Sequence, residues 1–154
     1  MSNAAHSSFV YVTYIRTTPE QLWSALTTPE FMRQYWFDMH IDTDWKRGSP
    51  WKLQFRDGRA ADTGTIVEID PPKRLVLEWR NEWNPEMKAE GPARCAMDLE
   101  PVDGAVKLTV THSIERPESK LIGAVSGGWP KILSNLKSLL ETGSVAVSPA
   151  ALKS

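Results

Sequence analysis

The sequence predicts an α+β fold: a curved antiparallel sheet of about six or seven strands wrapped around one long C-terminal helix, with two short helices after the first strand. Three observations predict it. Trp129, Ile132, Leu133, Leu136, Leu139 and Leu140 fall on one stripe of a 3.6-residue period. Between Phe37 and His112 the apolar residues instead recur at every second position, in segments separated by turn residues. The 154-residue chain is long enough for one domain with a sizeable core and contains no internal repeat.

Taken in order, Phe9 to Ile15 is rich in β-branched and aromatic residues and reads as the first strand. Thr18-Pro19-Glu20 offers an N-cap, a proline for the first helical position and an acidic first turn, followed by Leu22, Trp23 and Leu26 on one face. Thr28-Pro29-Glu30 repeats the start signal for a second short helix through Phe31, Met32 and Tyr35. Phe37, Met39, Ile41, Thr43 and Trp45 then alternate with polar residues, the pattern of a half-buried strand. Trp51, Leu53 and Phe55 alternate next, and Asp57-Gly58 supplies a tight turn into a strand over residues 63–69. Pro71-Pro72 reverses the chain into Leu75, Leu77 and Trp79. A long polar loop over residues 81–92 precedes Ala93, Cys95, Met97 and Leu99, and Asp103-Gly104 turns into Val106, Leu108, Val110 and His112. Together these segments form an antiparallel meander with one apolar face, whose inner positions include Trp51, Phe55, Trp79 and Met97.

The final helix is strongest over Ser126 to Glu141, with Pro130 suited to a first turn and Gly143 to a left-handed stop. Residues 119–125 add a helical turn or two, continuous with that helix or separate from it. Lys131, Ser134, Asn135, Lys137, Ser138 and Glu141 form its water-facing side. The expected partition is a cloning remnant and unstructured N-terminus over residues 1–8, the folded domain over 9–143 and a loose tail over 144–154.

Net charge is −1, with both signs interspersed and no basic run, which argues against nucleic-acid or anionic-membrane partners. No apolar stretch approaches a bilayer span and no secretion signal is evident, so integral membrane association is not expected. Cys95 is the single cysteine, consistent with a reducing, cytoplasmic setting. Seven tryptophans exceed what a core of this size needs, so they either fill an unusually aromatic core or wall an enclosed space.

The segments TTPEQLW, QYW, DW, GSPW, DPPKRLVLEW and SGGWPKILSNLKSLLETG resemble the START-like (SRPBCC) helix-grip superfamily, and within it the branch of activator of heat-shock-protein ATPase homologues. The resemblance spans residues 9–143 and is specific for fold and branch, not for an activity. It implies a mainly hydrophobic cavity between helix and sheet, used across the superfamily for lipids, polyketides, hormones and other apolar molecules. The expected function is therefore binding of a small hydrophobic ligand, lipid-, polyketide- or aromatic-like, without required catalysis, cofactor or metal. Trp36, Phe37, Trp51, Phe55, Trp79, Met97, His112, Trp129, Ile132, Leu133 and Leu136 are the candidate ligand-binding residues. Two alternatives stand beside it: a co-chaperone-like protein stimulating a heat-shock chaperone ATPase, and a cyclase- or dehydratase-type enzyme.

Other chemistry is weaker. Asp38, His40, Asp42 and Asp44 lack the glycine and distal glutamate of a calcium loop and the His or Cys pairs of a zinc site, so they read as a solvated face. Ser126 follows Ala124 and Val125 instead of the glycine and strand of a nucleophile elbow. His112 reads first as a core imidazole and second as a polar handle or acid-base group for a ligand. Cys95, expected inward, reads as an inert small apolar residue.

Overall fold

The computed structural model describes residues 6–147. Residues 1–5 of the expected N-terminal remnant and 148–154 of the expected tail lie outside the described residues. The elements run β1 (Ser7–Ile15), α1 (Pro19–Thr27), α2 (Pro29–Tyr35), β2 (His40–Asp42), β3 (Pro50–Gln54), β4 (Ala60–Asp70), β5 (Arg74–Asn81), α3 (Pro85–Ala89), β6 (Ala93–Val102), β7 (Ala105–Ile114) and α4 (Lys120–Thr142). All seven strands join one antiparallel sheet in the order β1-β7-β6-β5-β4-β3-β2, so the meander from β2 to β7 is closed on one side by β1. This is the helix-grip architecture expected from the sequence.

Local chemistry explains most element ends. The Thr18 side chain accepts the Gln21 N–H at 3.2 Å to start α1, and Asn84 caps α3 by accepting from the Glu86 and Met87 N–H groups. Ser119 accepts the Ile122 N–H at 3.1 Å to start α4, and Glu90 reaches the same helix start, accepting from the Lys120 N–H at 2.7 Å. A carboxylate there satisfies a free donor and opposes the positive end of the helix dipole. At the other end Gly143 adopts φ 88° and donates to the Leu139 carbonyl, the left-handed stop read from the sequence.

Four local expectations change. Of the two arrangements left open for the last helix the continuous one holds, over Lys120–Thr142, so Pro130 lies inside it and not in its first turn. The alternation over residues 37–45 yields only the three-residue β2, because Phe37 and Asp38 take left-handed φ values of 52° and 66° to turn the chain out of α2. The polar loop after β5 contains α3. Asn135, expected to face water, is buried: it exchanges hydrogen bonds with Val147, donating at 2.9 Å and accepting at 2.6 Å. Residues 144–147 are therefore tied to α4 instead of loose. At the N-terminal side β1 begins at Ser7, whose hydroxyl donates to the Arg116 carbonyl.

The sheet's concave face carries the core. Along β7, Val106, Leu108, Val110, His112 and Ile114 are buried while their neighbours are not, as period-two packing demands. From α4 the buried stripe includes Trp129, Leu133 and Leu136. Within the sheet the helix rests on β1 and, less, on β7, with α2 packed beside it, and Lys137 donates to the Tyr14 carbonyl at 2.6 Å. The β3–β5 half of the face is consequently left for α2, α3 and large side chains to fill. Register aligns Trp51, Gly64 and Trp79 in one row across β3, β4 and β5. The Trp51 indole lies across Gly64 and donates to the Glu78 carbonyl at 3.0 Å. Among the described residues no helix is long and apolar enough to cross a membrane.

A Cβ built on Gly64 would stand 1.7 Å from the Glu78 carbonyl oxygen and 2.7 Å from the Trp51 indole nitrogen. Gly64→Ala is expected to destabilise the fold by about 3 kcal/mol, at the upper end of ordinary overpacking, because neither neighbour can move without breaking the sheet. Urea unfolding of the variant against the parent measures this.

Candidate functional site

Because α4 covers only part of the concave face, a cavity of about 260 Å³ remains between its first half and the β3–β5 rows. Leu121, Val125, Gly128, Trp129 and Ile132 form the helix wall. Leu53, Ala61 and Trp79 form the sheet wall, with Trp36, Met39, Phe55, Trp83 and Met87 around them. Trp83 is 59% exposed and stands at the mouth. An apolar cavity of roughly 150 Å³ admits benzene, and drug-sized sites begin at about 300 Å³. The space therefore suits a compact molecule somewhat larger than one ring.

Trp79 is the hub of the wall. Its ring centroid lies 4.7 Å from Trp51, 5.1 Å from His112, 5.9 Å from Trp129 and 6.4 Å from Trp36. Tilted and edge-on arrangements dominate, as aromatic quadrupoles prefer. The cluster joins α2, three strands and α4, and among the described residues one hydrogen bond links two of its rings: the Trp129 indole donates to His112 Nδ1 at 3.1 Å. An indole can only donate, so Nδ1 is the bare nitrogen and the proton of neutral His112 sits on Nε2, which has no partner among the described residues. Burial pushes the His112 pKa down to about 4.

Two polar side chains interrupt the apolar lining. Asp62 on β4 and Asn81 on β5 face each other directly, and Leu53 on β3 completes their row. The Asn81 amide donates to Asp62 Oδ1 at 3.3 Å, while its own carbonyl oxygen accepts from the Trp83 and Asn84 N–H groups at 3.2 and 2.8 Å. That double acceptance fixes which way the amide points. Asp62 is 8% exposed, and desolvation pushes its pKa up to about 7. The Trp79 indole N–H beside it favours the anion without a hydrogen bond of good geometry, the neighbouring Glu82 charge opposes it, and Asn81 favours it again. Glu82 itself is held below the usual carboxylate range by the Thr63 hydroxyl and Lys88.

Of the residues singled out in the sequence, Trp36, Phe55, Trp79, Trp129 and Ile132 border this cavity. Phe37 lies on an adjoining surface groove that shares Trp36, Met39 and Ile132. Trp51, Met97, Leu133 and Leu136 sit in the packed core with no surface on the cavity. His112 is fully buried behind Trp129 and does not reach the cavity either. Trp83, assigned from sequence to a loop, comes to the mouth. Asp62 and Asn81 were not anticipated, because residues 60–62 were read as preceding β4. The signal was in the register: a turn at Asp57-Gly58 counts Asp62 opposite the inward Leu53. Cys95 is buried, which raises its thiol pKa far above the usual range, so it is inert. Asp38 pairs with Arg56 at 3.1 Å, and no cluster of potential metal ligands occurs among the described residues.

The family described as activator of Hsp90 ATPase homolog 1-like protein matches residues 16–141. No curated protein matches the chain. Among solved structures, protein MLL2253 from Mesorhizobium loti superposes with a TM-score of 0.76 at 22% identity, covering 90% of this chain and 100% of that one. The Aha1 dimer from Colwellia psychrerythraea gives 0.72 at 21% identity, covering 89% and 98%. An HSP90 activator from Plasmodium falciparum gives 0.70 at 21% identity, covering 86% and 95%. At such identities the likeness establishes the fold.

The two buried titrating groups pull stability in opposite directions. Folded Asp62 keeps its proton to about pH 7 whereas an ordinary carboxyl loses it near 3.8, so its contribution falls as pH rises through that window. His112 stays neutral down to about pH 4 against an ordinary 6.5, so its contribution is complete above 6.5 and is lost as pH falls toward 4. Asp62→Asn removes the first effect alone. The variant is expected to be more stable than the parent by ~4 kcal/mol at pH 8, with the gain vanishing near pH 4. Chemical unfolding across that pH range measures it.

Proposed function

This chain belongs to the family of activator of Hsp90 ATPase homolog 1-like proteins, and we propose that it binds a small, mainly apolar molecule in the cavity between α4 and the β3–β5 rows. The observation that carries this reading is the combination of a preformed aromatic wall with a buried polar pair, Asp62 and Asn81, that a purely structural core would not need. Apolar pockets with a few convergent polar groups are the usual form of small-molecule sites. A ligand giving up about 200 Å² of apolar surface would gain about 5 kcal/mol before ordering costs, enough for binding without any turnover. Trp36, Phe55, Trp79, Trp129 and Ile132 would supply that surface, and the polar pair would orient the ligand. A long acyl chain fits the volume poorly, so a compact aromatic or alicyclic body is favoured over a lipid. A cytoplasmic setting accompanies this reading, given an inert free cysteine.

A second reading has its own observation. The Plasmodium falciparum relative is described as an HSP90 activator, and here Val10, Val12 and Tyr14 form an exposed apolar stripe on the edge strand β1. Docking of a chaperone on that outer face would be independent of the cavity. A cyclase- or dehydratase-type reaction built on His112 has no support, since the imidazole is sealed from the cavity and its one accepting nitrogen is taken by Trp129.

Gly128 separates the readings. It lines the cavity from inside α4, and a Cβ there meets nothing within 4 Å. Gly128→Leu fills the space while improving helix propensity by roughly 1 kcal/mol. The variant is expected to keep or raise its melting temperature and to lose tryptophan-fluorescence quenching by naphthalene-sized probes. Undiminished probe binding by a folded variant would remove the cavity from consideration and leave the β1 surface.

A further inference from the structure

We propose that the ligand carries a protonated amine, held by the Asp62 carboxylate within the indole-walled cavity. This rests on the cavity-binding reading and adds the chemical class.

The cavity wall lacks a counter-ion. Among the described residues Asp62 is the one ionisable side chain that lines it; no Lys, Arg or His does. Buried carboxylates are ordinarily paired, because an isolated buried charge costs several kcal/mol. Asp62 instead receives one long hydrogen bond, from Asn81, whose remaining polar atom is already committed to the Trp83 and Asn84 amides. Asn81 therefore positions the carboxyl and cannot neutralise it. Among the described residues the only other donor beside the carboxyl is the Trp79 indole N–H, which forms no hydrogen bond of good geometry and carries no charge, and the carboxyl lines the cavity.

The surrounding charges select the same sign. Glu82, just beyond Asn81, is ionised, and Lys88 pairs with it at 3.0 Å; neither side chain lines the cavity. On the other sides β3 presents Leu53, and α4 presents apolar side chains alone. A ligand carboxylate or phosphate would thus meet the Asp62 carboxyl in the lining and no base there. Trp36, Trp79, Trp83 and Trp129 add ring quadrupoles that attract cations and repel anions. A compact aromatic or alicyclic body with a primary or secondary ammonium matches the volume, the wall and the charge together.

Three probes of nearly equal shape test this on the full chain: 2-phenylethylamine, 2-phenylethanol and phenylacetate, titrated by calorimetry at pH 8. The amine is expected to bind at least about tenfold more tightly than the alcohol, the usual scale of a charge-assisted hydrogen bond, with phenylacetate weakest. Its affinity should fall at least about tenfold between pH 8 and pH 5.5 as Asp62 gains its proton, while that of the alcohol stays level. Asp62→Asn should lower the amine to the level of the alcohol and leave alcohol binding intact, which also reports that the variant is folded. Equal binding of amine and alcohol by the parent, or an amine preference that survives in Asp62→Asn, overturns the ammonium assignment and leaves the cavity reading standing. Failure of all three probes to bind overturns both.

Discussion

The packing of Trp79 is the constraint on which the rest of the structure depends. A single indole on β5 touches Trp51 from β3, Trp36 from the end of α2, and both Trp129 and His112 beneath α4. It can reach Trp51 across the intervening strand because β4 carries glycine at that row, and Gly64 has no side chain to hold the two rings apart. The helix and the far half of the sheet are therefore joined through aromatic rings instead of direct backbone packing. A wide gap bridged by large rigid rings leaves space between them.

That geometry explains why the cavity lies where it does. The far end of α4 is latched to the start of the sheet, with Lys137 on the Tyr14 carbonyl and Glu141 on the Arg16 N–H. At its beginning Glu90 draws the helix toward α3. Held at both ends over β1 and β7, α4 cannot descend onto β3 and β4. The space left over is lined by apolar groups except at the row of Leu53, Asp62 and Asn81. A carboxyl at such a place lowers the stability of the fold near neutral pH. Residues that do so are concentrated where a protein meets another molecule, and stability is given up there for function. The same argument removes His112 from the chemistry: its burial is matched by a hydrogen bond to Trp129, and it faces the core.

Much of the fold was legible in the sequence because the signals are local. Period-two alternation, the Asp-Gly turns, the Thr-Pro-Glu helix starts and the Gly143 stop each act within a few residues. Where local alternation and tertiary demand disagreed, the latter prevailed. Residues 37–45 alternate well, yet Phe37 and Asp38 must turn left-handed to bring the chain from α2 back to the sheet edge. Asn135 reads as a polar surface position on its helix, yet the returning chain at Val147 covers it and takes up its amide. Five of the aromatic and aliphatic residues singled out meet at the cavity, since inward alternation identifies the concave face. Alternation does not tell which inward residues lie under the helix and which lie beside it, and so Trp51, Met97, Leu133 and Leu136 belong to the solid core.

By itself, then, the sequence determined the order of the elements apart from α3, the antiparallel meander, the amphipathic final helix and the excess of tryptophan, because each is written in residue type and spacing. The tertiary structure alone decided that the space opens over β3 to β5, that Asp62 enters it without a cation, and that His112 is shut away. Those facts depend on strand register and on where a helix pinned at both ends comes to rest, and both are properties of residues far apart in the chain.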